Sequence, residues 1–164
     1  MVKILDTINV QELLESYNLL ESKIQWTEYI YKGKQAGLQF KSNQDHWTSA
    51  VGKRTHSDKD YNELNPVFKD TIFEKIISKY KMTRTRLMWV YTKSCYSMHR
   101  DETPRIQIPL ITNPDCYFVF KISPPVHLAE GNVYFVDTRN YHTFINCSEH
   151  NRLHLVGSSN FEKC

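Results

Sequence analysis

The amino-acid sequence predicts a mainly β protein of α+β character, with a helical and β N-terminal layer followed by an all-β sandwich or barrel. Three observations point there. After Met82, short strand-like runs succeed one another, separated by turn residues. Ten Tyr, eight Phe and three Trp make the chain rich in the aromatics that favour half-buried strands. Helical periodicity is confined to two stretches of the first half. At 164 residues this is one domain's worth of sequence, long enough to bury a core.

From Val10 to Leu20, the apolar positions Leu13, Leu14, Tyr17 and Leu20 recur at helical spacing, which predicts a short amphipathic helix. The stretch from Ile24 to Val51 is aromatic and β-like, with two expected strands, Gln25–Tyr31 and Leu38–Lys41, around breaks at Lys32-Gly33-Lys34 and Ala36-Gly37. Gly52 to Asn62 is polar and reads as an exposed loop. A second helix is expected from about Pro66 to Tyr80. Asn65 can cap it, Pro66 suits its first turn, and Val67, Phe68, Ile72, Phe73, Ile76 and Ile77 form an apolar stripe. The strand-like runs are then Leu87–Tyr91, Arg105–Thr112, Cys116–Ile122, Val133–Asp137, Tyr141–Asn146 and Arg152–Gly157. Turn residues at Asn113-Pro114-Asp115, Pro124-Pro125, Gly131-Asn132 and Ser148-Glu149-His150 separate them.

A net charge of +3 without clustered Lys or Arg argues against a nucleic-acid partner. No stretch approaches the apolar length needed to span a bilayer, and the N-terminus has no signal-peptide core, so a soluble, cytoplasmic protein with no membrane partner is expected. Cys95, Cys116, Cys147 and Cys164 form no C-x-x-C pair, which suits reduced thiols.

The strongest chemical signal is Met98-His99-Arg100-Asp101-Glu102, with Tyr141-His142-Thr143 about forty residues later. On an extended segment residues i and i+2 point to the same side, so His99 and Asp101 converge on one point. If the His142 strand pairs beside them, a third ligand arrives. Two histidines and a carboxylate on one face of an octahedron leave three positions open, which is how non-haem Fe(II) oxygenases take up a co-substrate and O₂ together. A lone H-x-D arises often by chance. Its weight here comes from the polar residues set at matching distances later in the chain, Arg105, Gln107, His142 and Arg152.

Arg152 falls ten positions after His142, and a tight turn at Cys147–His150 would make the two runs a hairpin with Arg152 beside His142. A buried cation needs a partner. With no acid at a matching position, a bound dicarboxylate would supply one, gripped by the guanidinium fork; the competing reading is an exposed Arg152 on an edge. In Arg105-Ile106-Gln107-Ile108-Pro109-Leu110, Arg105, Gln107 and Pro109 share one face and the apolar residues the other. Ordinary antiparallel logic puts the isoleucines in the core and the polar face in water. The company of His99, Asp101, His142 and Arg152 turns that polar face toward a cavity.

Taken in order, H-x-D, R-x-Q-I-P-L-I-T-N-P, G-N-V-Y-F-V-D, Y-H-T-F-I-N and R-L-H-L-V-G resemble the aspartyl/asparaginyl β-hydroxylase family of 2-oxoglutarate oxygenases, over about Tyr96 to Gly157. The resemblance implies a double-stranded β-helix (jelly-roll, cupin-like) barrel with the N-terminal helices packed on one sheet. It implies one oxygenase domain over 1–164, with 1–82 as support layer and 83–160 as barrel core. By the same resemblance His99, Asp101 and His142 would be the catalytic iron ligands. Arg152 would bind the distal carboxylate of 2-oxoglutarate, and Arg105 would be a second arginine near the co-substrate. Gln107 replaces a family histidine. The implied cofactors are Fe(II), 2-oxoglutarate and O₂, and the implied reaction hydroxylates a C–H bond with release of succinate and CO₂. Asn146, Thr143 or Tyr91 would tune the ligands.

The implied substrate is an amino acid, peptide or protein, with Asp, Asn or Pro as the side chain hydroxylated. Gln39, His46, Trp47 and Arg54 are candidate substrate contacts, against readings of Trp47 as core and Arg54 as a solvated loop charge. His56, His127 and His150 read as surface residues, His154 as a pocket candidate beside Arg152, and Tyr117 and Tyr134 as core. Two alternatives stay open: a cupin-type metalloenzyme that does not use 2-oxoglutarate, and a non-catalytic barrel that binds an anion or peptide.

Overall fold

In the computed structural model, which describes residues 2–29, 32–53 and 55–159, two antiparallel sheets face each other. Seven strands form the larger sheet: β1 (Val2–Thr7), β2 (Thr27–Tyr29), β3 (Gly33–Gly37), β6 (Met82–Val90), β8 (Arg105–Ile111), β10 (Asn132–Val136) and β12 (Arg152–Ser159). Their order is β1-β10-β8-β12-β6-β3-β2. The smaller sheet is β7 (Ser94–Cys95), β11 (His142–Asn146) and β9 (Cys116–Phe120), in the order β7-β11-β9. A short ribbon of β4 (Gln39–Phe40) and β5 (Glu63–Leu64) lies apart from both. This is the jelly-roll, double-stranded β-helix arrangement that the resemblance implies, and the barrel-like β architecture that the strand pattern predicts.

Helix α1 (Val10–Leu20) forms where its periodicity places it, with the Asn9 side chain accepting the Gln11 N–H at its start. It buries Leu13 and Tyr17 against the outer face of the large sheet. Helix α2 (Ile72–Lys79) adds Phe73, Ile76 and Ile77 to the same cluster, opposite Ile106, Ile108, Leu110, Leu153 and Leu155. The three buried apolar residues of β8 each contribute about 2 kcal/mol by leaving water. That settles the orientation of the strand: turning Arg105 and Gln107 outward would expose all three. A second apolar cluster, with Phe118, Phe120, Phe144, Tyr134 and Val136, lies between the sheets.

Four expectations need correction. The helix expected from Pro66 to Tyr80 is a short 3-10 turn (Pro66–Phe68) followed by α2. Asp70 between them takes φ +60, and Thr71 donates its hydroxyl to the Phe68 carbonyl, which stops the first turn from propagating. The supposed break around Gly33 is instead a strand, paired residue by residue with β6 from Gly33↔Val90 to Gly37↔Arg86. Glycine at 33 permits close approach of the two backbones, because a Cβ there would fall 1.9 Å from the Trp89 carbonyl oxygen. The strand expected at Gln25–Tyr31 covers Thr27–Tyr29, and its last two positions lie outside the described residues. Finally, β11 and β12 are no hairpin. The turn between them crosses from the small sheet to the large one, where β12 pairs with β6 and β8. Val2–Thr7, read as no element, is an edge strand on β10.

Candidate metal centre and anion cavity

His99 and His142 exchange both backbone hydrogen bonds (His99 N to His142 O 2.9 Å, His142 N to His99 O 2.8 Å), so an isolated antiparallel bridge sets the two imidazoles side by side. Their ring centroids are 4.5 Å apart. Asp101 belongs to no strand, but its backbone N–H donates to the Thr138 carbonyl at 2.8 Å and turns the carboxylate toward the histidines. One ligand atom from each of His99, Asp101 and His142 lies within 4.8 Å of the others, the only such group of three or more among the described residues.

The protonation of these donors suits a metal. The Nδ1 atoms of His99 and His142 lie 2.8 and 2.9 Å from the carbonyls of Ser97 and Asn140. A carbonyl can only accept, so each Nδ1 carries a proton and, in the neutral ring, Nε2 is the atom with the lone pair. Burial, reinforced by the neighbouring His99, lowers the His142 pKa and favours the neutral ring. Burial alone would raise the Asp101 carboxyl, but the charges of Arg105 and Arg86 outweigh it and hold the group ionised. The Arg105 Nε lies 3.1 Å from Asp101 Oδ2 in an ion pair that steadies the carboxylate.

Behind the triad is a cavity of about 270 Å³, at the small end for a ligand pocket. Arg152 lines its wall at 4% exposure, with its guanidinium 3.5 Å from the centroid of the Phe144 ring. It donates to His154 Nδ1, while its own Nε and the His154 Nε2 have no hydrogen-bond partner among the described residues. Burial pushes both groups well below their ordinary pKa values. Gln107 touches His154 Nδ1 at 3.3 Å. Buried donors left orphaned beside a desolvated guanidinium fit a bound carboxylate, and the His-Asp-His donor set with open positions fits a divalent iron.

Arg105 lines the same cavity but is already engaged. Besides Asp101 it contacts Asp58, at 2.7 Å, and the Ser158 hydroxyl. The Arg105 guanidinium, expected near the co-substrate, is thus held by Asp58 and Asp101. Other candidates lie elsewhere. Gln39 is spent on the Met82 carbonyl and on Thr85, His46 stacks on Phe40, and Trp47 packs against Phe68 in the core. Arg54 lies outside the described residues. His56 and His150 are exposed, whereas His127 is half-buried on the Cys116 carbonyl. Tyr134 is core, as expected, and Tyr117 is half-buried. Asn146 ties together Val90, Tyr91 and His150 through their carbonyls, Thr143 donates to Tyr96 O, and Tyr91 bonds Glu28; none touches a metal-facing side chain. Sequence reasoning missed Arg84, Arg86 and Gln35, all of which line the cavity. The alternation Arg84-x-Arg86-x-Met88-x-Val90 was their signal.

The fold and these donors define a double-stranded β-helix protein with a two-histidine, one-carboxylate centre. No protein-family model matches the sequence, and no curated protein matches it. Solved structures do. An oxidoreductase of the 2OG-Fe(II) oxygenase family from Burkholderia pseudomallei superposes with TM-score 0.55 at 15% identity, over 92% of this chain and 82% of that one. DMSP lyase DddQ from Ruegeria pomeroyi DSS-3 gives 0.54 at 12% identity, over 98% and 69%. HygX from Streptomyces hygroscopicus, with nickel, 2-oxoglutarate and hygromycin B bound, gives 0.54 at 11%, over 98% and 83%. The shared property is the fold. A lyase has it as well as an oxygenase, so the chemistry must be argued from the site.

Proposed function

We propose that the protein is an Fe(II)- and 2-oxoglutarate-dependent dioxygenase that hydroxylates a C–H bond of an amino-acid side chain, Asp, Asn or Pro, free or in a polypeptide, and works in the cytoplasm. The observation that carries this reading is Arg152: a buried guanidinium without a carboxylate partner among the described residues, in the same cavity as His99, Asp101 and His142. A buried cation that the protein leaves uncompensated is a costly feature unless a ligand completes it. Iron and 2-oxoglutarate, when bound, supply the oxidation of the C–H bond by O₂, with succinate and CO₂ as by-products.

The residues divide the remaining tasks. His99 and His142 offer Nε2 lone pairs, and Asp101 offers a carboxylate steadied by Arg105. Arg152, helped by His154 and Gln107, holds the distal carboxylate of the co-substrate. Phe118, Phe144, Met88 and Val90 line the apolar side of the cavity and keep water from it.

Arg152→Ala tests this. Succinate release from the iron-loaded wild type, falling at least about 30-fold at fixed 2-oxoglutarate in the variant, is expected for a lost charge-assisted contact of about 2 kcal/mol or more. Metal binding without succinate release would favour the metalloenzyme that does not use 2-oxoglutarate. Absence of metal binding would favour the non-catalytic barrel.

A further inference from the structure

Strand β6 turns Arg84, Arg86, Met88 and Val90 toward the cavity and Leu87 toward the helices. Two of these are arginines, and they differ in how they are satisfied. Arg84 is fully engaged by Asp58, at 3.1 Å, and by the carbonyls of Ala50 and Gly52. Arg86 is only 8% exposed, makes one hydrogen bond, to the neutral Gln35 Oε1 at 3.2 Å, and leaves its Nε without a partner among the described residues. Burial, with Arg84 and Arg105 nearby, pulls its pKa down to about 9. The acids within electrostatic reach are Asp101 and Asp58, and both are already held by Arg105.

We propose that Arg86, steadied by Gln35, anchors a second anion in this cavity, so that the substrate carries a carboxylate or phosphate group close to the carbon that reacts. The inference rests on the oxygenase reading for the role of Arg152 and names the substrate class for the same site. The charge balance supports it. Arg84, Arg86, Arg105 and Arg152 face the cavity against Asp58 and Asp101. A divalent metal and the dianion of 2-oxoglutarate cancel one another, which leaves the loaded site with two positive charges in excess.

Position separates the two free arginines. Arg152 pairs with Val90 and Arg86 with Val156, so they stand four residues apart along β6 and β12. At about 3.3 Å per residue that is roughly 13 Å between their strand positions. Ser158, two residues beyond Val156 on β12, pairs with Arg105, whose Nε lies 3.1 Å from Asp101, so Arg86 stands nearer the His99–Asp101–His142 end of the cavity and Arg152 at the Phe144 end. A co-substrate reaching from Arg152 to the metal leaves Arg86 facing whatever is brought up to that metal. A neutral side chain there would keep the guanidinium buried and unpaired.

The test uses the full chain loaded with Mn(II) in place of iron, under argon, with binding followed by calorimetry. Each protein is titrated with 2-oxoglutarate, and then, once saturated, with N-acetyl-L-aspartate, O-phospho-L-serine or the neutral N-acetyl-L-aspartic diamide. The wild type should prefer an anionic probe over the diamide, with the two anions distinguishing carboxylate from phosphate. Arg86→Gln should weaken the preferred anion by about tenfold or more while 2-oxoglutarate affinity stays within about threefold; Arg152→Ala should do the reverse. Arg86→Lys should recover part of the anion affinity. Ligand-free Arg86→Gln should melt no lower than wild type, which a purely structural arginine would not allow.

The proposal is overturned if the wild type shows no preference for either anion, if Arg86→Gln binds them as wild type does, or if that variant loses 2-oxoglutarate as Arg152→Ala does. Failure of the wild type to bind 2-oxoglutarate would sink the oxygenase reading instead. The anion titration of the Mn(II)-loaded protein alone would then decide Arg86.

Discussion

Replacing Asp58 by Asn keeps the volume of the side chain and removes its charge from the most crowded polar cluster of the fold. Asp58 is 1% exposed and lies between Arg84, at 3.1 Å, and Arg105, at 2.7 Å. It also accepts hydrogen bonds from Thr103 at 2.6 Å and Ser158 at 2.8 Å. Burial alone would raise its pKa, but Arg105, Thr103 and Ser158 overcome it and hold the carboxyl far below the usual range. A neutral amide at this position would leave the buried Arg84 guanidinium without its counter-charge and Arg105 with Asp101 alone. Breaking a buried pair from one side costs about 3–5 kcal/mol. At about 2–4 °C per kcal/mol for a chain of this size, the melting temperature should fall by roughly 6–20 °C at pH 7. Because the folded pKa is depressed, the contribution of Asp58 is complete above its unfolded pKa of about 3.9 and drains away as the pH falls below it. Thermal melts by circular dichroism at pH 7 and in acid should therefore show a gap between wild type and Asp58→Asn that narrows on acidification. A drop smaller than about 3 °C at pH 7, or a gap independent of pH, would refute this role for the cluster.

Gly33→Ala should destabilise the protein by about 3 kcal/mol in urea unfolding, because the added Cβ meets the Trp89 carbonyl of a paired strand that has no room to retreat; an unchanged midpoint contradicts the close approach. In metal-free protein the His142 ring should titrate by NMR below the ordinary imidazole value of about 6.5, since burial disfavours its charged form. The folded pKa being the lower one, this group makes stability fall as the pH drops through that range, and a midpoint above the ordinary value would contradict its burial.

The parts of the site legible in the sequence are those that period-two alternation encodes. His99-x-Asp101 and the opposed faces of Arg105–Leu110 derive from it, whereas the inward Arg152 was expected from a hairpin that does not form; the structure nevertheless brings His99, Asp101, His142 and Arg152 to one cavity. What was not legible depends on partners distant in the chain or on local irregularity. Val2 pairs with Val136, and nothing near residue 2 announces that. Beginning the β6 run at Leu87 cut off Arg84 and Arg86, because Arg84 takes φ +52 and the register of β6 with β12 slips just there. The interruption before α2 did carry a signal. Thr71 and Glu74 have capping-box spacing, and Glu74 accepts the Asp70 N–H at 2.6 Å. The crossing of the chain between β11 and β12 had none: a short turn reads the same whether it closes a hairpin or changes sheets.

The most direct measurement of the central claim is the visible difference spectrum of the protein mixed anaerobically with Fe(II) and 2-oxoglutarate. The expected result is a weak charge-transfer band that needs both components, disappears in His99→Ala and His142→Ala, and requires far more 2-oxoglutarate in Arg152→Ala. A wild-type protein that binds Fe(II) yet develops no band at saturating 2-oxoglutarate, or a band indifferent to both histidines, would contradict it.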